Sequence, residues 1–457
     1  MFDRRVQHRC GAFFLVTCLA LSAIVAGCTS SAPATQAPSA PAAAAAAKPA
    51  GTAPSAATQS KSTAPAATPA AAAAAKPAAS AAKTIKIGAI APLTGPTAAS
   101  GASAKRGLEL AVEYVNNSGG IKSMGGAKLE LILEDHQGKA DVAIGLAERM
   151  IQNDKVAILL GSMDSASTMA TTQVAERLGV PHVVPMDTND EITERGFKYT
   201  FRLSPTSTMS AQNKGAFFRW LEAKTGKKFR KIALLYEDSG FGQSQAKSQK
   251  NLFSKEQGFD IVADVSYAPG GRDYTAVVSK LKAANPDVIM QSSLVNDAIL
   301  LRKTMDQLGV KALIVGQEGG NGHPDYIKNV GPLAEGEIFG SFSCTDLPGD
   351  AVKAYANAYR AKYNINAENI ATFHYEAVLV AKDALERAST DDHAAVQKAL
   401  TETALPAGPW MVLPTDVLRF DAKGQSILST VMLQIQNGVP RTIYPDSVKQ
   451  VDLLLPQ

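Results

Sequence analysis

The chain has 457 residues, a formal net charge of +4 at pH 7, 46% hydrophobic residues and four cysteines. A near-neutral balance without a basic cluster argues against nucleic acid as a partner. The roughly 375 residues from Thr84 onward are too many for one small core and suit two lobes.

The amino terminus reads as a targeting segment over residues 1–27. Arg4, Arg5 and Arg9 form a basic region, and Ala12 to Val25 is an apolar run of signal-peptide length, too short to span a bilayer. It ends in Val25-Ala26-Gly27-Cys28. Residues 28–83 then consist almost wholly of Ala, Pro, Ser and Thr, with Lys48, Lys61, Lys76 and Lys83 as the only charges. Such a composition cannot bury enough apolar surface to offset its ordering entropy, and its prolines recur too often for a long helix. It is expected to be a disordered linker, with an end-to-end distance of roughly 40 Å. Cys10 and Cys18 leave with the signal, so Cys344 and Cys28 are the cysteines of the exported chain. No disulfide framework is expected, so the exported fold must rely on its core.

From Thr84 the pattern alternates strand and helix. Apolar runs recur at 85–92, 128–134, 156–160, 182–185, 231–236, 260–267, 287–291 and 312–316. Amphipathic stretches lie between them, such as 104–120 with Leu108, Ala111, Val112 and Val115 on one face. This βα repeat predicts an α/β fold of parallel sheets. The pattern restarts near Lys231 after the extended segment 200–207, which predicts two doubly wound lobes joined by a hinge, read as 84–206 plus 341–427 and 207–340 plus 428–457. Helices are expected from about Asp350 to Thr401, with late strands around 417–420 and 428–436 returning to complete the two sheets.

The segment 156–184 reads as a ligand-cradling unit: a buried strand, Gly161, the polar loop SMDSAST, a helix from about Ser167 closed by Gly179, and a next strand opened by Pro181. Ligands of open α/β sheets lie at the carboxyl ends of the strands, where a helix N-terminus offers N–H groups to an anion. Ser165, Ser167 and Thr168 sit there; the same hydroxyls could do no more than cap the helix. Motifs of bond chemistry are missing: there is no GxxxxGK[ST], GxSxG or HExxH, and the histidines lack metal spacing. Neither a cofactor nor a metal is expected, and a hydrolase reading fails for want of a placed histidine base.

Four segments carry a resemblance: IKIGAIAPLTGPTAASGASAKRGLELAVEYVNNSGGI at 85–121, YEDSGFGQS at 236–244, GGRDYTAVVSKLKAANPDVI at 270–289 and VGQEGGNG at 315–322. Together they resemble the branched-chain amino acid type of ABC-transporter periplasmic binding protein, over about Ile85 to Gln436. Val25 to Cys28 likewise resembles the lipobox of bacterial lipoproteins, which implies that Cys28 bears lipid and tethers the chain to a membrane. The family resemblance implies the class I periplasmic binding protein fold, a receptor without enzymatic activity, an inner-membrane ABC permease as partner, and a small-molecule ligand such as an amino acid or related carboxylate. It also implies a site. The ligand carboxylate would be held by Ser165 and Thr188 with backbone N–H groups at Asp164, Ser165 and Asp187, and its ammonium by Glu318. Ser100 falls in the loop after the first strand, where relatives often place a tyrosine. Phe241 stands where amino acid binders carry a cleft tyrosine, and Ser293 or Leu294 at a second such position, so two aromatic hydroxyls of the pattern are absent. Asp164 and Asp187 add carboxylates beside the carboxylate site; buried, they must face water, accept backbone N–H bonds or meet a cationic ligand. A tethered interaction lipoprotein of the same fold, such as an activator of cell-wall synthases, is the alternative function.

Overall fold

Thr84–Ala91 (β1) is an inner strand of a five-stranded sheet, and every residue from Ile87 to Ala91 is buried. The computed structural model describes residues 83–317, 319–408, 411–428 and 430–454. The signal segment, the linker and Cys28 lie outside the described residues, as does Glu318. β1 pairs in parallel with β2 (Lys128–Asp135) on one side and β3 (Ile158–Gly161) on the other. The sheet continues through β4 (His182–Val184) and β5 (Thr200–Arg202), also parallel, in the order β2-β1-β3-β4-β5. Strands β3, β4 and β5 are buried along their whole length in a sheet flanked by helices, α1 (Ala98–Asn117), α2 (Ala140–Arg149) and α3 (Ser165–Leu178) among them.

A second sheet restarts at β6 (Lys231–Glu237), as the sequence pattern predicts. It takes in β7 (Asp260–Tyr267), β8 (Val288–Ser292), β9 (Leu313–Gln317) and β10 (Ile338–Ser341), all parallel. Two antiparallel strands, β13 (Val431–Gln436) and β14 (Val439–Tyr444), extend it to the order β14-β13-β10-β9-β8-β6-β7. α5 (Ser207–Thr225), α6 (Gly240–Leu252), α7 (Thr275–Ala284) and α8 (Val295–Gln307) flank this sheet. One of its cores is aromatic: Phe218 meets the Phe253 ring edge-on at 5.8 Å, and Phe253 meets Phe259 at 4.9 Å.

Short helices α4 (Glu191–Glu194) and α9 (Pro324–Val330) precede β5 and β10, and after β10 the chain runs through α10 (Asp350–Tyr363) and returns to the first sheet. α11 (Asn369–Ala388) packs against α1 so closely that a Cβ on Gly107 would lie 2.1 Å from the Ala371 carbonyl oxygen, so only glycine fits there. One expectation is corrected. The late strand β12 (Val417–Arg419) does not join the first sheet; it pairs antiparallel with β11 (Ala404–Pro406) in a separate two-stranded ribbon. A partner so near in sequence closes a short loop at low entropic cost. The first sheet's edge instead receives a single parallel bridge, Arg202 with Gln425.

Candidate functional site

In the first sheet the strand order reverses between β1 and β3, and in the second between β6 and β8. Ligands of doubly wound sheets bind at such switch points. Here the two switch points face one another across a cavity of about 660 Å³, lined by the loops after β1, β3, β4, β6 and β8. That volume falls within the range of small-molecule sites.

The lobes meet around it. Asn296 Nδ2 donates to the Pro96 carbonyl at 3.1 Å and Gln245 Nε2 donates to Thr188 Oγ1 at 3.0 Å. Ser248 Oγ donates to the Asp190 carboxylate at 2.9 Å. A Cβ on Gly240 would stand 2.9 Å from Ser165 Cβ, so the N-terminus of α6 touches that of α3.

Asp164, Ser165, Asp187, Thr188 and Phe241 all line the cavity. Ser100 does not: it is the third residue of α1 rather than a loop residue, and it is buried. Ser293 is also buried away from the lining, and the half-buried Leu294 beside it lines the cavity instead. Apolar area comes in addition from Phe342, whose ring is held edge-on by Phe373 at 6.1 Å.

Asp164 is the N-cap of α3, its Oδ1 accepting from the Ser167 N–H at 2.9 Å. The chain thus supplies its own anion to the helix terminus. Asp164 Oδ2 faces His136 Nε2 at 3.4 Å; burial lowers the His136 pKa against the pull of that carboxylate. Ser165 Oγ donates to Asp187 Oδ1 at 2.8 Å, and the Asn189 N–H donates to the same oxygen at 3.1 Å. The Asp187 N–H donates to Ser204 Oγ at 2.9 Å. Burial pushes the Asp187 carboxyl up to about 6 despite those hydrogen bonds.

Two acids that the sequence reading passed over come from the second lobe. Glu237, at the end of β6, accepts from Ser239 Oγ at 2.6 Å and from the Leu294 N–H at 3.3 Å, and burial pushes it up to about 7. Asp297, in the first turn of α8, accepts from the Gly270 N–H at 3.1 Å. Both line the cavity. Their signal was position: each stands at or just beyond the carboxyl end of a parallel strand, Glu237 within the segment 236–244.

The sequence matches the model of the periplasmic binding protein family over residues 84–438. The chain belongs to the periplasmic binding proteins. It is 32% identical over 386 residues to Leu/Ile/Val-binding protein homolog 7 of Brucella abortus, covering 82% of this chain and 94% of that one. Homolog 3 of Brucella melitensis is 33% identical over 318 residues, 69% of this chain and 83% of that one. Among solved structures, the substrate-binding protein LivJ of Streptococcus pneumoniae in complex with isoleucine superposes with a TM-score of 0.69 at 25% identity, covering 79% of this chain and 100% of that chain. The leucine-binding protein LivK of Thermotoga maritima gives a TM-score of 0.70 at 24% identity, with 80% and 100% covered. The fold is therefore the class I periplasmic binding protein fold.

Proposed function

We propose that the chain is an extracytoplasmic solute-binding receptor of an ABC importer, which closes its lobes on an amino acid or related small molecule and delivers it to a permease. The observation that carries this reading is the cavity itself, set at both switch points and bridged by hydrogen bonds from both lobes. Its lining has no nucleophile–base pair: the hydroxyls of Ser165 and Ser239 donate to carboxylates, and no histidine lines it among the described residues. The receptor is thus taken to bind and release its solute without bond chemistry. Ser165, Thr188 and Phe241, with Asp164 and Asp187, are proposed as ligand contacts in the first lobe and at the mouth of α6, and Glu318 as the acceptor of a ligand ammonium. The lobes are taken as 84–206 plus 341–427 and 207–340 plus 428–457, a division supported by the separation of β1 to β5 from the strands of the second sheet.

Closure makes the reading testable. Gly240→Ala places a methyl group against Ser165 across the cleft. Overpacking of this kind costs about 1–3 kcal/mol, and spent on the closed state alone it weakens solute binding by roughly 5- to 150-fold. The thermal midpoint without solute is expected to stay unchanged. Calorimetry of wild type and variant with the same solute checks this, and equal affinities would remove the closure role.

We also propose that Cys28 carries lipid and holds the receptor to a membrane. No helix among the described residues is long and apolar enough to cross one. Cys28→Ser is expected to move the exported chain from the membrane fraction to the soluble fraction. Retention in the membrane fraction would overturn the anchor.

A further inference from the structure

Several of the donors that a solute carboxylate would need from the first lobe are already engaged. The Ser165 hydroxyl is given to Asp187, the Asp187 N–H to Ser204, and the Ser167 N–H at the mouth of α3 to Asp164. Thr188 Oγ1 accepts from Gln245, which leaves its own proton as a donor on this side of the cavity.

What the lobe presents to the cavity instead is carboxylate oxygen. Asp187 is 5% exposed and lines the cavity, and its Oδ2 has no hydrogen-bond partner among the described residues. Glu237 and Asp297, 3% and 6% exposed, line the opposite side. With Asp164 the described lining holds four carboxyl groups, and it holds no Lys, Arg or His. The buried Lys214 lies behind Gly340, its Cε 3.6 Å from where a Cβ on that glycine would stand, and is not part of the lining. A further carboxylate brought into such a low-dielectric space is repelled, while a cation is attracted and supplies the proton donor that Asp187 Oδ2 lacks among the described residues.

We propose that the solute is a small organic cation of the diamine class, with an amine or guanidinium group against Asp187 and a second nitrogen donor against Glu237 and Asp297. This rests on the receptor reading and narrows it, replacing a leucine-like zwitterion whose carboxylate would face Asp187. Burial raises the pKa of both Asp187 and Glu237, and a cation set against them restores their ionised forms.

The test is calorimetry on the full chain, freed of any bound solute by unfolding and refolding, with putrescine, agmatine, L-leucine and benzoate as probes. Putrescine or agmatine is expected to bind at least tenfold more tightly than leucine or benzoate, roughly the discrimination one misplaced buried charge brings. Asp187→Asn is expected to weaken that binding about tenfold or more while its thermal midpoint holds, because the amide oxygen can keep the Ser165 and Asn189 hydrogen bonds and the change falls on Oδ2, which has no partner among the described residues. Lys214→Met is expected to keep the affinity. If leucine or benzoate binds and neither amine does, or if Asp187→Asn leaves amine binding intact, the cation inference is overturned and the receptor reading stands. If none of the four probes and none of the twenty amino acids binds, both are overturned.

Discussion

Arg202→Met is expected to lower the stability of the fold by about 3–5 kcal/mol, the range for removing one partner from a buried charged network. Arg202 is fully buried at the end of β5. Its Nε donates to Gln425 Oε1 at 2.6 Å, Nη2 to Thr193 Oγ1 at 2.8 Å, and Nη1 to the Asp187 carbonyl at 3.2 Å and to the Asn189 carbonyl. One guanidinium thereby ties the loop carrying Asp187 and Thr188 to the returning C-terminal segment. Methionine fills much of the volume but removes all four donated bonds. The Asp187 carbonyl keeps only Ser204 Oγ at 2.8 Å, the Asn189 carbonyl only the Ile192 N–H at 3.2 Å and Gln425 Oε1 only Thr193 Oγ1 at 3.4 Å. Hydrogen bonds to a charged group contribute about 1.5–3 kcal/mol each. The same loop forms one wall of the cavity, so solute affinity should fall with stability. Urea denaturation measures the first effect; a change below about 1 kcal/mol would show that the network relaxes onto other donors.

Lys214 should behave in the opposite way. It lies in α5, 1% exposed, and its Nζ has no hydrogen-bond partner among the described residues. Burial draws its pKa from the ordinary 10.5 down to about 7. Above about pH 10.5 the amine is neutral in the folded and the unfolded chain and costs nothing. As the pH falls from there the unfolded chain takes up the proton first, so stability is lost progressively until about pH 7, where the folded chain is protonated too. Below that the loss is constant and of the order of 4 kcal/mol. Lys214→Met is therefore expected to stabilise the fold by about 2–4 kcal/mol near pH 6, allowing for the fit of the thioether. The gain should shrink towards zero near pH 10. An equal gain at both pH values would assign the effect to packing rather than charge.

These two residues also mark what the sequence leaves hidden. All eight apolar runs are strands, because a strand covered on both faces must be apolar along its length. β10 is four residues long and β14 contains Pro440, which its edge position tolerates; neither carries a run long enough to read. Arg202 and Lys214 look like ordinary surface charges in sequence, since nothing local says that a strand end and a helix face are covered from afar. The site was legible in the same uneven way. Asp164, Ser165, Asp187 and Thr188 stand where strand ends and a helix N-terminus place them. Which donors stay available was not legible: the pairing of Ser165 with Asp187 spans 22 residues and depends on two loops meeting. The roles left open for the two aspartates divide. Each accepts a backbone N–H through Oδ1, but Asp164 Oδ2 faces His136 Nε2 at 3.4 Å, whereas Asp187 Oδ2 has no hydrogen-bond partner among the described residues.

The central claim is that this chain is a receptor whose folded, closed form holds a small solute. The most direct test is thermal unfolding of the full chain, refolded free of solute, against amino acids, diamines, aromatic acids and amides. A solute bound only by the folded state adds about 2.7 kcal/mol of stability at 100 times its dissociation constant. A shift of that order is expected with at least one solute, reduced in Gly240→Ala. No shift with any solute, in a chain shown to be folded, would contradict it.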